Sequence, residues 1–278
     1  MDSRDDNQLG CSIKALPDHL LTAAAATAVR VNPVNAPMWA PGGSGLAGVL
    51  APQHIALLTS KYWGAAPRRL SVSFMEDADA DLRARILGHM NYWSTTCGIS
   101  FAATAEAGDV RISLQPGGYW SYLGTDITLV PPDQQTMNLE GFSMQTPESE
   151  YHRVVRHETG HTLGFPHEHM RRELVARIDP QKAYSYFLAT QGWDRQEVDQ
   201  QVLTPLDDAS ILGTPPDQDS VMCYQLPGSI TVDGLPIRGG TDVNASDAAF
   251  AASVYPKAVA APPSQRTAAQ TGDAKVTA

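Results

Sequence analysis

Cysteine is scarce in this chain. Cys11, Cys97 and Cys223 are the only three in 278 residues, so a fully paired intramolecular disulfide framework is impossible. Stability must come from an apolar core instead, and 42 % hydrophobic residues over this length suffice to bury one, in one or two domains. A protein that needs no disulfides can work in the cytosol or be exported. Apolar runs of about 18 residues are missing, which argues against a membrane-spanning helix. Basic clusters are missing too, and with a net charge of −10 this argues against nucleic acid or an anionic membrane surface as partner. The amino terminus carries Asp2, Asp5 and Asp6 where a secretory leader would have positive charge. Leu20–Val29 is a short Ala-rich stretch with no leader before it. The expectation is cytoplasmic residence or leaderless export, with secretion left open. No internal repeat is present.

What the chain does have is concentrated between His157 and His167. The run His157-Glu158-Thr159-Gly160-His161-Thr162-Leu163-Gly164-Phe165-Pro166-His167 sets three imidazoles and a carboxylate at metal-binding spacings. On a helix His157 and His161 lie one turn apart on one face, so both rings reach one ion. Glu158 is rotated about 100° from His157, too far round to share that role but placed to lean on a water beside the ion. Gly164 tolerates left-handed backbone angles and stops the helix, which lets His167 approach from a third direction. Three protein ligands leave a fourth tetrahedral position open, the arrangement of one catalytic zinc ion rather than a structural one. Tyr151–Leu163 reads as a buried helix, with Val154, Val155 and Leu163 apolar. Polar groups inside such a helix need a compensating partner, and a metal supplies it.

These residues resemble the metzincin clan of zinc endopeptidases, whose motif H-E-x-x-H-x-x-G-x-x-H precedes a methionine-containing turn. The chain looks most like the astacin family: Gly164-Phe165-Pro166-His167-Glu168 matches its G-F-x-H-E continuation, and Arg171 falls where that family places an arginine. Glu173-Leu174-Val175 departs from its Asp-Arg-Asp. Ser220-Val221-Met222-Cys223-Tyr224 is similar to the astacin S-x-M-H-Y. The resemblance implies that Met222 forms an apolar floor under the ligands and that Tyr224 binds the metal as a fifth ligand or holds the oxyanion. It also implies that Glu168 ties down the amino terminus of a mature enzyme. Ser210-Ile211-Leu212-Gly213 has a similar shape without the methionine or tyrosine, and the later segment is preferred. Secreted astacins carry a disulfide cysteine in a G-C-x-S site; Gly118-Tyr119-Trp120-Ser121 has none.

Along the chain, residues 1–60 read as an irregular amino-terminal extension whose candidate role is a pro-segment. Residues 61–257 read as the catalytic domain, with an upper subdomain to about 164 and a lower one from 165. The tail 258–278 is patternless and reads as disordered. Leu70–Phe74, Ile99–Ala103, Val110–Leu114 and Thr136–Leu139 read as strands, and a helix capped near Asp79 runs to about Trp93 with Leu82, Ile86 and Met90 on one face. Tyr119, Trp120, Ser121 and Tyr122 resemble the edge strand that bounds a metzincin cleft, where a peptide docks as an added strand. Helices are expected over Pro180–Gln191 and Arg195–Val202, and from Ser246 or Asp247 to Val254. The expected fold is therefore α+β, a metzincin catalytic domain in two subdomains. Its twisted, mostly parallel sheet has an antiparallel edge strand beside the active-site helix, and its lower half is irregular.

The implied function is a zinc metalloendopeptidase cutting internal peptide bonds of protein or peptide substrates, with Glu158 as general base and Tyr224 assisting. The alternatives are an inactive scaffold that only binds, which has no use for Glu158, and a zinc hydrolase of small amides. Asp77, Asp79 and Asp81 alternate as in a calcium loop but lack its glycine and final glutamate, so helix capping is preferred over calcium. Cys11 reads as a surface thiol, with zinc blockade as a thiolate the alternative. Cys223 is expected to point away. His169 competes with His167 as ligand, the spacing favouring His167, and His152 lies off the ligand face. Asp207, Asp208, Asp217 and Asp219 read as solvated loop acids or as a preference for basic side chains near the cleavage site.

Overall fold

Apolar residues at alternate positions bury Leu70 and Val72 on one face of the strand Arg68–Phe74, and the same logic extends across a six-stranded sheet. The computed structural model of the chain describes residues 11–36, 59–206 and 215–258. Its strands are β1 (Cys11–Lys14), β2 (Arg68–Phe74), β3 (Ile99–Ala103), β4 (Val110–Ser113), β5 (Tyr119–Tyr122) and β6 (Met137–Leu139). They lie in the order β1-β5-β6-β4-β2-β3. All neighbours are parallel except β5 and β6, which run antiparallel. The expected mixed sheet is present.

Its border is different from the expectation. β5 is not the edge strand, because β1 pairs along it from Cys11↔Tyr119 to Lys14↔Tyr122. Nor is all of the amino-terminal extension irregular. After β1 comes α1 (Leu21–Val31), which buries Ala24, Ala25, Thr27 and Ala28. Those short side chains let the helix sit close to the 3-10 segment Gly124–Leu129. Asn35 then fastens the segment to the body: its Nδ2 donates to the carbonyls of Ala28 (2.9 Å) and Tyr62 (2.8 Å), while its Oδ1 accepts from Tyr62 N (3.0 Å).

α2 (Ala80–Met90) turns Leu82, Ile86 and Met90 inward as its periodicity requires. Asp79 occupies its N-cap position, but the carboxylate makes no capping bond. Asp77 pairs with Arg83 at 3.6 Å instead. The active-site helix is one run of three parts: an α-turn Glu148–Glu150, a π-turn Tyr151–Val155 and α3 (Arg156–Thr162). It ends at Gly164, whose φ of +93° suits only glycine. A Cβ there would also lie 2.9 Å from the Lys61 carbonyl, so the position excludes side chains twice over.

The lower half carries α4 (Arg172–Val175), α5 (Pro180–Gln191), α6 (Arg195–Val198) running into a π-turn Asp199–Leu203, and α7 (Ala245–Val254). α7 is capped by Asn244 rather than by Ser246 or Asp247: its side chain accepts from Asp247 N, and the Asp247 carboxylate accepts from Asn244 N. Two apolar cores result. The upper one joins sheet, α2 and active-site helix, and the lower one gathers Leu174, Ile178, Phe187, Val198 and Ile237. Adjacent residues of one turn belong to different cores: Val221 and Met222 to the upper, Cys223 and Tyr224 to the lower. Ser210–Gly213, Asp207, Asp208 and the tail beyond residue 258 lie outside the described residues.

Candidate active site

The buried face of α3 and the turn after it bring His157, His161 and His167 together, with their ligating nitrogens all within 4.8 Å of one another. Each helical histidine is fixed by a backbone carbonyl. His157 Nδ1 lies 2.6 Å from the Val221 oxygen and His161 Nδ1 2.8 Å from the Phe165 oxygen. A carbonyl only accepts, so both Nδ1 atoms carry the proton and both Nε2 atoms present a lone pair. The Nε2 atoms of His161 and His167 stand 3.0 Å apart. Several polar atoms here are buried without a well-formed hydrogen bond: His157 Nε2, both Glu158 oxygens and the Tyr224 hydroxyl. A cation held by the three imidazoles satisfies this pattern, and an apolar packing role does not.

Electrostatics agree with that reading. Burial is the leading cause of every shift in the cluster. It drops His157 to about 4 and holds His161 and His167 well below the usual imidazole value, so all three rings are neutral and available as ligands near neutral pH. Burial also pushes Glu158 up to about 8, with the Cys11 thiol and Arg153 pulling the other way.

Met222 is packed against the helix at Gly160, where an added Cβ would sit 2.3 Å from the methionine sulfur. A glycine inside a helix costs about 1 kcal/mol relative to alanine. That cost was the available signal for this contact, which sequence reasoning passed over. The Tyr224 ring lies against His167 with centroids 4.3 Å apart and stacks on His169 at 4.3 Å and 11°. His169 itself turns away to the Gln201 carbonyl (2.9 Å), which leaves His167 as the third ligand. Cys223 places its sulfur near its neighbour's backbone oxygen, away from the triad.

Cys11 is the main correction. It is buried, not a surface thiol, and its sulfur lies within 4.8 Å of ligand atoms of His157 and Glu158. β1 therefore lies along the cleft with its cysteine at the catalytic groups. Gln201 was also missed: its side chain donates to the Ile13 carbonyl (3.0 Å) and accepts from Ile13 N (3.2 Å) from the far side. Of the expected cleft strand, Ser121 faces inward, with its hydroxyl 3.2 Å from that of Thr162. The Trp120 and Tyr122 rings pack edge to face at 5.9 Å.

Glu168 accepts from Asp217 N (3.1 Å) and lies 3.8 Å from Arg171, and burial raises it to about 7. It lines a cavity with Tyr62, Asp217, Asp247 and Phe250. Asp217 accepts from Asn244 (2.8 Å), and Asp219 pairs with Arg238 at 2.7 Å. His152 belongs to a different cluster, with His89 and Glu148. No helix among the described residues is long and apolar enough to cross a membrane.

A mixed sheet over a helix carrying His-Glu-x-x-His, with a third histidine beyond a glycine turn and a methionine beneath, defines a zinc metallopeptidase. Residues 58–231, more than half of the chain, match the model of the astacin peptidase family, and the chain belongs to that family. It is similar to "Zinc metalloproteinase nas-27" of Caenorhabditis elegans, at 28 % identity over 109 residues. That match covers 38 % of this chain and 24 % of the relative, so it spans about a quarter of the relative's length. A structure of myroilysin shares 26 % identity at a TM-score of 0.67, covering 72 % of this chain and 97 % of its own. A crystal structure of myroilysin shares the fold at 23 % identity and a TM-score of 0.56, over 88 % and 99 % of the two chains.

Proposed function

We propose that the chain is an endopeptidase cutting internal peptide bonds of protein substrates, and that its amino-terminal segment holds it latent. The observation that carries the first part is the convergence of three lone-pair-bearing imidazoles beside a desolvated carboxylate. His157, His161 and His167 hold the zinc ion. Zinc, when bound, supplies Lewis acidity for the scissile carbonyl and the attacking water. Glu158 takes the proton of that water as the oxygen–carbon bond forms, then gives it to the amine as the carbon–nitrogen bond breaks. Tyr224 has a hydroxyl free to donate to the carbonyl oxygen as negative charge develops there. Met222 holds the helix in position from below.

The latency reading rests on β1. It pairs with β5, where an extended substrate would add as a strand, and Gln201 binds it from the lower subdomain. A thiolate is a good zinc ligand, and Cys11 is aimed at the catalytic groups. Removal of β1 would free Tyr119, Trp120, Ser121 and Tyr122 to receive a peptide backbone. By family resemblance a newly cut amino terminus would pair with Glu168, and the acid-lined cavity beside it suits an ammonium group. Such a latent form fits an exported enzyme that must stay silent where it is made. Retention of the general base speaks against a scaffold that only binds.

The test is digestion of a denatured protein by the trimmed enzyme, with fragments mapped by mass spectrometry. Cleavage at internal bonds is expected from the parent. Glu158→Gln should keep stoichiometric zinc and lose turnover by about 10²–10⁴-fold. His161→Ala should lose the zinc. Full activity in the glutamine variant, or products confined to small amides, would overturn the assignment.

A further inference from the structure

We propose that His89, Glu148 and His152 form a second metal site, distinct from the catalytic triad and suited to zinc or a similar transition-metal ion. His89 comes from α2, while Glu148 and His152 come from the first turns of the active-site helix. The Nε2 atoms of His89 and His152 stand 3.2 and 3.4 Å from one oxygen of Glu148, Oε1. Ligand atoms on a tetrahedral ion with bonds of about 2.0–2.1 Å are separated by roughly 3.3 Å. The two imidazole–carboxylate separations already have that length, and all three ligand atoms lie within 4.8 Å of one another.

The surroundings sort each carboxylate into two ends. Arg85 takes the other Glu148 oxygen, Oε2, at 2.6 Å, which leaves Oε1 to the histidines. Arg156 takes Asp242 Oδ1 at 2.5 Å, while Oδ2 lies 3.1 Å from His152 Nδ1. A neutral His152 that donates Nδ1–H to Asp242 turns its Nε2 lone pair toward a carboxylate oxygen. Two acceptors face each other there unless a cation lies between them. The carboxylate behind an imidazole is the usual outer support of a histidine ligand, fixing its tautomer and raising its basicity.

Access is graded. The His89 side chain is 9 % exposed, His152 31 % and Glu148 58 %, so one side of the cluster opens to water that can complete the coordination. Two imidazoles and one carboxylate select transition metals over calcium or magnesium, which take oxygen ligands. The two nearby guanidinium groups oppose a cation, and Arg156 Nη2, 3.5 Å from His89 Nδ1, must give up that contact before His89 can offer an Nε2 lone pair, so this ion binds more weakly than the one at the triad. A metal here would pin α2 to the start of the active-site helix, next to the π-turn.

The experiment uses the full chain carrying its catalytic zinc, titrated with zinc chloride near neutral pH and followed by calorimetry and by metal content after desalting. The parent should take up a second equivalent and melt at higher temperature on doing so. His152→Ala and Glu148→Gln alter a half-buried and an exposed group outside the triad and should lose that equivalent and the rise in Tm while keeping the first. His161→Ala should show the reverse, losing the first and keeping the second. Uptake of a single equivalent by the parent would overturn the proposal, because the cluster would then be held by its own ion pairs and hydrogen bonds. A second equivalent that persists in both His152→Ala and Glu148→Gln would overturn it equally.

Discussion

Gln201 pairs with Ile13 through both ends of its side-chain amide, 188 residues away in sequence. The amide imitates a neighbouring strand and closes the side of β1 that β5 leaves open. Net contributions of about 1 kcal/mol per hydrogen bond set the expected effect of its loss. Gln201→Ala should raise the peptidase activity of the uncut chain on the order of tenfold and speed proteolytic removal of residues before α1. Unchanged rates in both assays would mean that β1 is held by β5 alone.

Cys11→Ser tests the thiol separately from the strand. Serine preserves the shape of β1 but is a poor zinc ligand. The uncut variant should turn over substrate faster than the uncut parent, and trimming should bring the two to one level. A variant no more active than the parent would count against a zinc-blocking role for the thiol.

Metal-free protein should have a stability profile set by opposing limbs. Glu158 is raised from 4.5 to about 8, so its contribution is full below pH 4.5 and is lost as pH rises through 8. His157 is lowered from 6.5 to about 4, so its contribution is full above pH 6.5 and is lost as pH falls through 4. Chelator-treated Glu158→Gln should therefore melt above the chelator-treated parent at pH 8, with the gap closing toward pH 4.5. Thermal melts across that range decide the matter, and a gap independent of pH would contradict the burial argument.

Gly160→Ala probes the floor of the site. Its new methyl would meet Met222 Sδ at 2.3 Å, so either the methionine or the helix must move. Overpacking of this kind costs about 1–3 kcal/mol despite alanine's better helix propensity. The variant should melt lower than the parent, and Gly160→Ala combined with Met222→Ala should regain part of the loss. A variant at least as stable as the parent would show that the turn is not tightly packed.

The triad was legible in the sequence because its geometry is local: helical periodicity places His157 against His161, and one glycine redirects the chain to His167. Four of the six strands follow from alternation or short apolar runs, and β5 from its aromatic residues. β1 was not legible, since four residues carry no period and their partner strand lies more than 100 positions on. α1 was hidden for a related reason: an alanine-rich stretch has little amphipathic contrast, and its burial depends on the 3-10 segment it meets. The π-turn before α3 leaves no mark in residue pattern at all. His152 looked merely off-face, because His89 and Asp242, which give it meaning, approach from α2 and from the loop before α7.

The bonds between Asn35 and Tyr62 have a consequence for how a molecule of this kind could be switched on. Severing the chain anywhere between residues 36 and 59 breaks none of the described contacts of β1 or α1, so the nicked product stays assembled as two pieces. If β1 silences the enzyme as proposed, awakening requires either a cut closer to Lys14 or dissociation of the whole front piece, and the second route should be slowed by an excess of that piece in solution.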